Sequence, residues 1–315
     1  MNYPTIAFFG TPDYSVIVLE ALYKVGYPIV VVITKPDKPI GRKQSMTATA
    51  TAVWAKEHNI PVLTPSAHPQ IPWEFADPKA VTRQVLQYHP ELLIVADYTQ
   101  KIPLDLITQI KFGGLNVHPS LLPSYRGPAP IPWAIYNGET QTGVSIVTLS
   151  EQFDQGRVIA QEKAAILATD TTETLLPKLF TKGAQLLVQV LLSYVNTNDS
   201  SSTRQQFKDN AAIPSHYPRL TRQDGFEPWE KIKAAMENDS EAPRIERKFR
   251  AFHPWPGLWT KVKINGKELR LKILKAHLHN HSGENGNLVL DEIQLEGGKP
   301  VTGSALMGLL GKIQN

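Results

Sequence analysis

Short apolar runs alternate with amphipathic stretches through the first half of the chain. Ile29–Thr34 is a continuous run of mostly β-branched residues, which is typical of a strand that is buried on both faces. Strands of this kind that alternate with helices indicate a mostly parallel sheet with helices on both sides. The predicted strands are Thr5–Phe9, Ile29–Thr34, Leu92–Ala96, Leu115–Val117 and Val144–Leu149, and the predicted helices are residues 14–25, 47–58 and 172–195.

The last part of the chain has a different pattern. Apolar and polar positions alternate over Leu258–Ile264, Glu268–Ala276 and Asn287–Leu295, and Asn265-Gly266-Lys267 has the composition of a hairpin turn. These segments predict antiparallel strands in a small β-barrel. Residues 196–203 are small and polar, which is typical of a linker. We therefore predict an α/β domain over residues 1–195, a linker over 196–203 and a β domain over 204–315.

The composition limits the class of protein. A chain of 315 residues is long enough for two domains with their own cores. It contains no cysteine, which excludes a disulfide framework, a zinc–thiolate site and a cysteine nucleophile. Its first residues lack the basic start of a secretory signal, and no uninterrupted apolar segment approaches the ~20 residues that span a bilayer. We expect a cytoplasmic protein that works as a monomer without a membrane partner.

The charge is unevenly distributed along the chain. The net charge of +4 divides into −1 for residues 1–203, +7 for residues 204–282 and −2 for residues 283–315. This asymmetry indicates a polyanionic partner that is bound by the second half. By composition alone, a solvated basic face explains the same charge equally well.

The candidate chemistry lies near the middle of the chain. Asn116 and His118 are two residues apart at the end of an apolar run, so both side chains lie on one face if the run is a strand. An amide donor beside a titratable imidazole suits a reaction whose transition state carries oxyanion charge and requires a proton transfer. A lone carboxylate, Asp154, follows in Phe153-Asp154-Gln155-Gly156.

Asn-x-His, Ser120-Leu121-Leu122-Pro123, Arg126-Gly127 and the downstream Asp-x-Gly occur in this order. This set resembles the folate-dependent formyltransferases. Three further segments narrow the resemblance to the methionyl-tRNA formyltransferases: Phe9–Tyr14, Thr34–Arg42 and Phe252–Gly257. The resemblance extends from about residue 5 to the C-terminus. It implies a Rossmann-like N-terminal domain and a small, OB-like C-terminal β-barrel that binds tRNA.

The resemblance also implies the reaction. A formyl group would pass from 10-formyltetrahydrofolate to the amino group of initiator methionyl-tRNA, by direct attack of the amine through a tetrahedral intermediate. Asn116 would donate to the oxygen that gains charge. His118, as imidazolium, would add to that stabilisation and supply a proton to the leaving nitrogen. Asp154 would hold His118 in its charged form and help to carry the proton that the amine loses.

Binding residues follow from the same resemblance. The segment Ser120, Leu121, Leu122 and Pro123 would contact the folate, and so would Tyr98 in the loop Tyr98–Ile102, which would embrace the pterin. The Pro- and Gly-containing loop over residues 35–43 would reach into the acceptor stem of the tRNA through Lys38, Arg42 and Lys43. On composition alone, that loop is an ordinary solvated turn.

Three other functions remain open at this stage. The same Asn, His and Asp set would serve a formyltransferase that acts on a sugar-nucleotide amine, or a hydrolase of formyltetrahydrofolate. The third is an RNA-binding module without activity, although the intact set argues against it. His277, His279 and His281 alternate, but no carboxylate or cysteine completes a metal site convincingly, so we expect a polar strand end and no metal.

Overall fold

The computed structural model describes residues 3–40, 44–198, 215–237, 240–279 and 286–313. Its strands are β1 (Ile6–Gly10), β2 (Ile29–Ile33), β3 (Lys38–Ile40), β4 (Ser45–Thr47), β5 (Val62–Leu63), β6 (Leu92–Ala96), β7 (Gly114–His118), β8 (Gln141–Thr148), β9 (Val158–Ala165), β10 (Leu258–Ile264), β11 (Lys267–Leu278), β12 (Leu288–Leu295) and β13 (Pro300–Thr302). Its α-helices are α1 (Asp13–Val25), α2 (Ala50–Glu57), α3 (Pro78–Leu86), α4 (Leu104–Gln109), α5 (Pro130–Tyr136), α6 (Thr172–Asn198), α7 (Trp229–Glu237), α8 (Ala242–Phe252) and α9 (Gly303–Leu310).

The chain forms two compact units. The first contains residues 1–130, 141–165 and 176–217, and the second contains residues 131–140, 166–175 and 218–315. Each unit thus contains segments that are separated along the chain. The predicted domains, 1–195 and 204–315, are contiguous, and their limits stay a prediction. α6 continues through Asn198, so the predicted linker begins as helix, and residues 199–203 lie outside the described residues.

A seven-stranded sheet organises the first unit. Its order is β5-β2-β1-β6-β7-β8-β9. Every pairing from β5 to β7 is parallel, and β8 and β9 add two antiparallel strands at one edge. The predicted mostly parallel sheet is therefore confirmed. The order reverses between β1 and β6, and sites in such sheets lie at the carboxyl ends of strands near this point.

Both faces of this sheet are covered by apolar side chains. One face packs Phe8, Ile94 and Val117 against residues of α1 and α6. The other face packs Phe9 and Val95 with residues of α3 and α4. The strands are continuous apolar runs because neither face meets water.

Helix α6 belongs to this core. By length and composition it could cross a membrane, which differs from the sequence expectation that no segment approaches that length. Leu179, Leu187 and Leu191 in its middle are fully buried, and the last two pack in the cluster on the α1 side of the sheet. Its apolar surface is explained by packing on the sheet.

The second unit contains a four-stranded antiparallel sheet of order β10-β11-β12-β13. Asn265 and Gly266 connect β10 to β11, and their φ angles of 50° and 75° are those of a two-residue hairpin turn. The predicted hairpin is therefore present, with Lys267 as the first residue of β11. α7, α8 and α9 pack on this sheet through residues such as Ile232, Ile245 and Leu306. The predicted antiparallel strands are confirmed as a sheet that packs against helices, and their closure into the predicted β-barrel stays a prediction.

A buried charge cluster fixes α8 within this unit. The carboxylate of Glu227, whose residue is 3% exposed, accepts hydrogen bonds from Arg244 at 2.5 and 3.1 Å and from Lys248 at 2.8 Å. Burial raises the pKa of Glu227, but the bonds from the two cations outweigh this effect and hold the pKa below its ordinary value. The folded state therefore keeps Glu227 ionised.

Candidate active site

Strand β7 carries two of the predicted residues. Asn116 and His118 are alternate residues near its carboxyl end, so both side chains project from the same face, as predicted. His118 is 4% exposed. β7 pairs with β6 on one side and β8 on the other, which holds both residues on the rigid centre of the sheet.

Asp154 reaches these side chains from the turn between β8 and β9. Its Oδ1 accepts from Asn116 Nδ2 at 3.2 Å and lies 3.3 Å from His118 Nδ1. Its Oδ2 accepts from the backbone N–H of Gly127 at 2.9 Å. The side chain is 7% exposed. The structure thus brings the three predicted catalytic residues together, around one shielded carboxylate.

The turn that delivers Asp154 has a constrained backbone. Asp154 has a φ of 56°, a left-handed conformation that Asp tolerates better than most residues. Two residues later, a Cβ on Gly156 would lie 1.7 Å from the Thr148 carbonyl oxygen. Only glycine fits there, so the Asp-x-Gly spacing follows from the close approach of the turn to β8.

The second ring nitrogen of His118 also has a partner. Nε2 lies 3.0 Å from the carbonyl oxygen of Tyr125. A carbonyl only accepts, so Nε2 must donate in this contact. Nδ1 faces the Asp154 carboxylate. A ring with a proton on each nitrogen satisfies both contacts, whereas a neutral ring satisfies one.

These contacts include two backbone groups that the sequence analysis missed, the carbonyl of Tyr125 and the N–H of Gly127. Backbone groups are the same in nearly every residue, so the residue type does not indicate which of them will contact the site. The nearest signal is Gly127 itself, which has a φ of 103° and could have indicated a specialised loop.

A cavity opens beside Asn116 and Asp154. The space between atoms at this site is about 460 Å³, and part of it is open to solvent. Apolar side chains such as Val95, Ile102 and Ile107 form much of its wall, and Tyr98, Gln100 and Lys101 add polar groups. The predicted residue Tyr98 therefore lies in one cavity with two of the predicted catalytic residues.

Two residues that line this cavity each have a buried polar atom without a hydrogen-bond partner among the described residues: the hydroxyl of Tyr98 and the side-chain oxygen of Gln100. Burial raises the pKa of Tyr98 well above its ordinary value, so the hydroxyl keeps its proton and can donate. The residues of the cavity wall thus carry one donor and one acceptor that are without partners among the described residues. Gln100 lies in the predicted loop Tyr98–Ile102, although only Tyr98 of that loop was singled out.

The segment Ser120–Pro123 is not part of the wall of this cavity. The Ser120 hydroxyl donates to the Ser124 carbonyl at 2.8 Å, and Ser145 on β8 donates to the Ser120 carbonyl at 2.6 Å. Gln161 on β9 donates to the Leu122 carbonyl at 2.8 Å. These bonds make the segment a fixed turn, and its predicted folate contact stays a prediction.

A charged residue at the same edge of the sheet was not predicted. Asp97 follows β6 with a φ of 46°, and it accepts a hydrogen bond from the Tyr14 hydroxyl. Burial and the nearby carboxylate raise the pKa of Tyr14, so it remains a donor. A carboxylate directly after a buried apolar run was a signal that could have pointed to this position.

The predicted tRNA-contact residues are only partly described. Lys38 is exposed on β3, which pairs with β4 in a two-stranded antiparallel hairpin. Arg42 and Lys43 lie outside the described residues. The segment that was predicted as a loop therefore begins as a short strand.

The alternating histidines do not assemble into a metal site within the described part of the chain. His277 Nδ1 contacts the Asp291 carboxylate at 2.7 Å, and His281 lies outside the described residues. No group of three His, Cys, Asp or Glu side chains in the described ranges has the geometry to hold a metal ion.

Comparisons with known proteins give matches over most of the chain. The formyl transferase family model matches residues 5–191, and the model of the formyl transferase C-terminal domain matches residues 231–287. The methionyl-tRNA formyltransferase of Geobacillus thermodenitrificans is 37% identical over 81% of this chain and 73% of its own length. The methionyl-tRNA formyltransferase of Pelotomaculum thermopropionicum is 34% identical over 93% of this chain and 92% of its own length.

Solved structures share the fold. A HypX variant from Aquifex aeolicus matches 98% of this chain and 49% of its own, with a TM-score of 0.59 and 16% identity. An N-formyltransferase from Helicobacter canadensis, solved with folinic acid and dTDP-3-aminofucose, matches 88% of each chain with a TM-score of 0.58 and 20% identity. At these identities the likeness concerns the fold.

Proposed function

The chain belongs to the methionyl-tRNA formyltransferase family, and we propose that it transfers a formyl group from 10-formyltetrahydrofolate to the amino group of initiator methionyl-tRNA. The observation that carries this proposal is the carboxylate of Asp154, which contacts Asn116 and His118 at the wall of a cavity. This arrangement supplies an amide donor and a proton carrier beside a space for a small molecule.

The cavity fits the folate donor in its chemistry. A pterin is a flat ring with donors and acceptors along its edges, and the apolar wall with an unpaired Tyr98 hydroxyl and an unpaired Gln100 oxygen suits such a ring. Each atom would gain the hydrogen bond that it lacks within the protein, which removes a desolvation cost. The donor supplies the formyl group as a co-substrate and no metal is required.

The roles of the three side chains follow from their contacts. The Asn116 amide has two hydrogens, and one is bound by Asp154. The other is available for the oxygen that gains charge when the acceptor amine attacks the formyl carbon. His118 is held between a carboxylate and a carbonyl, so its protonated form is the better-bonded one and adds positive charge beside that oxygen.

Proton transfer is the second role of this set. His118 can release either proton at the cost of one hydrogen bond, which suits delivery to the leaving nitrogen of the folate. Asp154 keeps the ring oriented and helps to carry the proton that the amine loses. Neither residue forms a covalent bond to the formyl group in this scheme.

The acceptor is held elsewhere. The charge of +7 in residues 204–282 would attract the phosphates of the tRNA without regard to sequence. The residues proposed to position the acceptor stem are Lys38, Arg42 and Lys43. We propose the domain limits 1–195 for catalysis, 196–203 for the linker and 204–315 for tRNA binding.

The experiment supplies 10-formyltetrahydrofolate together with one of three acceptors: charged initiator tRNA, the same tRNA without methionine, or an amino-sugar nucleotide. We expect formylation of the charged tRNA alone. Formylation of the amino sugar with none of the tRNA would overturn the proposed acceptor. Release of formate at an equal rate without any acceptor would instead indicate a hydrolase.

The finer properties are part of the same proposal. We infer a cytoplasmic monomer. We also infer that it has no membrane partner, because the long apolar helix α6 is packed on the sheet. Light scattering during size-exclusion chromatography should give the mass of one chain, 35.1 kDa. A mass twice as large, independent of concentration, would contradict the monomer.

A further inference from the structure

A short segment after the predicted linker contacts the loop that completes the active site. We call Ser215–Tyr217 the strap and Tyr125–Gly127 the site loop. Tyr125 donates its backbone N–H to the Ser215 hydroxyl at 2.9 Å, and Arg126 donates to the Ser215 carbonyl at 2.8 Å. Tyr217 donates in return to the Arg126 carbonyl at 2.9 Å. The two segments therefore pair like short parallel strands.

Side-chain and backbone packing reinforces this pairing. The rings of Tyr125 and Tyr217 stack with centroids 4.7 Å apart and planes 10° apart. A Cβ on Gly127 would lie 2.4 Å from the Tyr217 carbonyl oxygen. The strap thus lies against the site loop along its whole length.

The site loop needs such support, because its backbone is unfavourable. Tyr125 has a φ of 57°, which a bulky residue adopts only when the surroundings impose it. The strap binds the N–H of Tyr125, and the carbonyl of the same residue accepts from His118. The strap and the imidazole of His118 therefore bind the two backbone groups of Tyr125, the strap at the N–H and His118 at the carbonyl.

The other end of the site loop is also bound on one side by the strap, and it contacts Asp154 on the other side. Both backbone groups of Arg126 are bound by the strap, and the next residue, Gly127, donates its N–H to Asp154. The strap therefore holds the loop from one side, while His118 and Asp154 receive its contacts on the other.

We propose that Ser215–Tyr217 is a positioning element for formyl transfer, with Ser215 acting on His118 through the backbone of Tyr125. This inference rests on the proposed function, which gives His118 and Asp154 their catalytic roles. The strap sets the place of the carbonyl and the N–H that orient these side chains. A displacement of ~1 Å in such a set costs about 10²-fold in rate.

The first test removes a single hydroxyl. In Ser215→Ala the N–H of Tyr125 loses its acceptor, and we expect kcat to fall by about 10-fold, equivalent to ~1.4 kcal/mol, with KM for the folate donor unchanged. Ser215→Thr keeps the hydroxyl and should restore kcat. The matched control is Ser193→Ala, because within the described part of the chain the Ser193 hydroxyl bonds the Val190 carbonyl of its own helix. The kcat of this control should equal that of the unaltered protein.

A double-mutant cycle separates positioning from general damage to the structure. If Ser215 acts through His118, then Ser215→Ala should have no further effect on a His118→Ala protein. An equal 10-fold loss in both backgrounds would overturn the proposal, as would unchanged kcat in Ser215→Ala alone.

A readout that does not depend on activity distinguishes this proposal from the proposed function. Nitrogen NMR of labelled imidazoles, with His118 assigned from His118→Ala, should show a shift of the His118 Nε2 signal in Ser215→Ala and none in Ser193→Ala. If the unaltered protein formylates no tRNA, the proposed function fails, while the NMR shift still tests the strap. An unmoved His118 signal would overturn the strap proposal whatever the acceptor is.

Discussion

Asp154→Asn gives the sharpest test of the site, because it changes one atom and conserves the shape. Asp154 has a φ of 56°, and asparagine is among the few residues that adopt this conformation readily. The fold should therefore persist. The carboxylate oxygens, however, accept from three donors on both sides: Asn116 and His118 at Oδ1, and Gly127 at Oδ2.

An amide in this position cannot satisfy all three contacts. If the oxygen of the amide faces Asn116 and His118, its NH₂ group faces the N–H of Gly127, and two donors then face each other without an acceptor. In the reverse orientation, the NH₂ group faces the two donors Asn116 and His118. Loss of the charge-assisted bond to His118 removes ~1.5–3 kcal/mol from a transition state that requires the imidazolium, which corresponds to about a 10–10²-fold lower rate. The buried N–H of Gly127 without an acceptor costs ~1–3 kcal/mol in the ground state as well, so it lowers the stability and not the rate.

Single-turnover formylation of charged tRNA at saturating donor measures this change directly. Circular dichroism and thermal unfolding report whether the fold persists, and the dissociation constant of the folate should change little. Glu162→Gln is the matched control, since the Glu162 side chain is 40% exposed and pairs with Lys182, and surface pairs of this kind contribute little. A folded Asp154→Asn protein that loses less than about 10-fold in rate would refute the role of the carboxylate.

Three further predictions address separate parts of the molecule. Asn116→Ala should lower the transfer rate by about 10²–10³-fold with little change in folate affinity, because the amide bond strengthens in the transition state; stopped-flow kinetics with donor titration measure both. Alanine at Lys38, Arg42 and Lys43 together should abolish tRNA formylation while folate binding survives, and normal formylation would show that the hairpin is only a solvated turn. Glu227→Gln should lower stability at pH 7 by ~3 kcal/mol, because two cations lose their carboxylate. The folded pKa of Glu227 lies below its ordinary value of 4.5, so its contribution is complete above that pH and is lost as pH falls through the folded pKa. Thermal unfolding of Glu227→Gln and the unaltered protein should therefore converge in acid, and a constant difference would contradict the assignment.

Local sequence patterns determined the central elements of the fold. The apolar runs at β1, β2 and β6 are long and continuous, so they identify strands that are buried on both faces. Asn265-Gly266 predicted its hairpin, because only a few residues tolerate two successive positive φ angles. The antiparallel edge was missed at β9, whose residues are mostly half-buried or exposed and carry little apolar signal.

The sequence predicted those groups of the candidate site that are side chains of one strand or of a recognised motif. Alternation alone places Asn116 and His118 on one face. Tyr98 and Asp154 came from the resemblance, and both line the cavity. Asp97 was missed, and Gln100 was not singled out within its loop, because a single polar residue after a strand has many ordinary explanations until its partners are known.

What the sequence determined by itself is therefore local or residue-specific: the strands, the turn, the absence of thiol chemistry and the choice of candidate catalytic side chains. Tertiary structure decided the rest. Asp154 meets Asn116 across 38 residues of chain, and Ser215 meets Tyr125 across 90. The groups that orient His118 and Asp154 are a backbone carbonyl and a backbone N–H, which every residue type except proline provides in full. Their function depends on where the chain places them, and the folded chain alone sets that position.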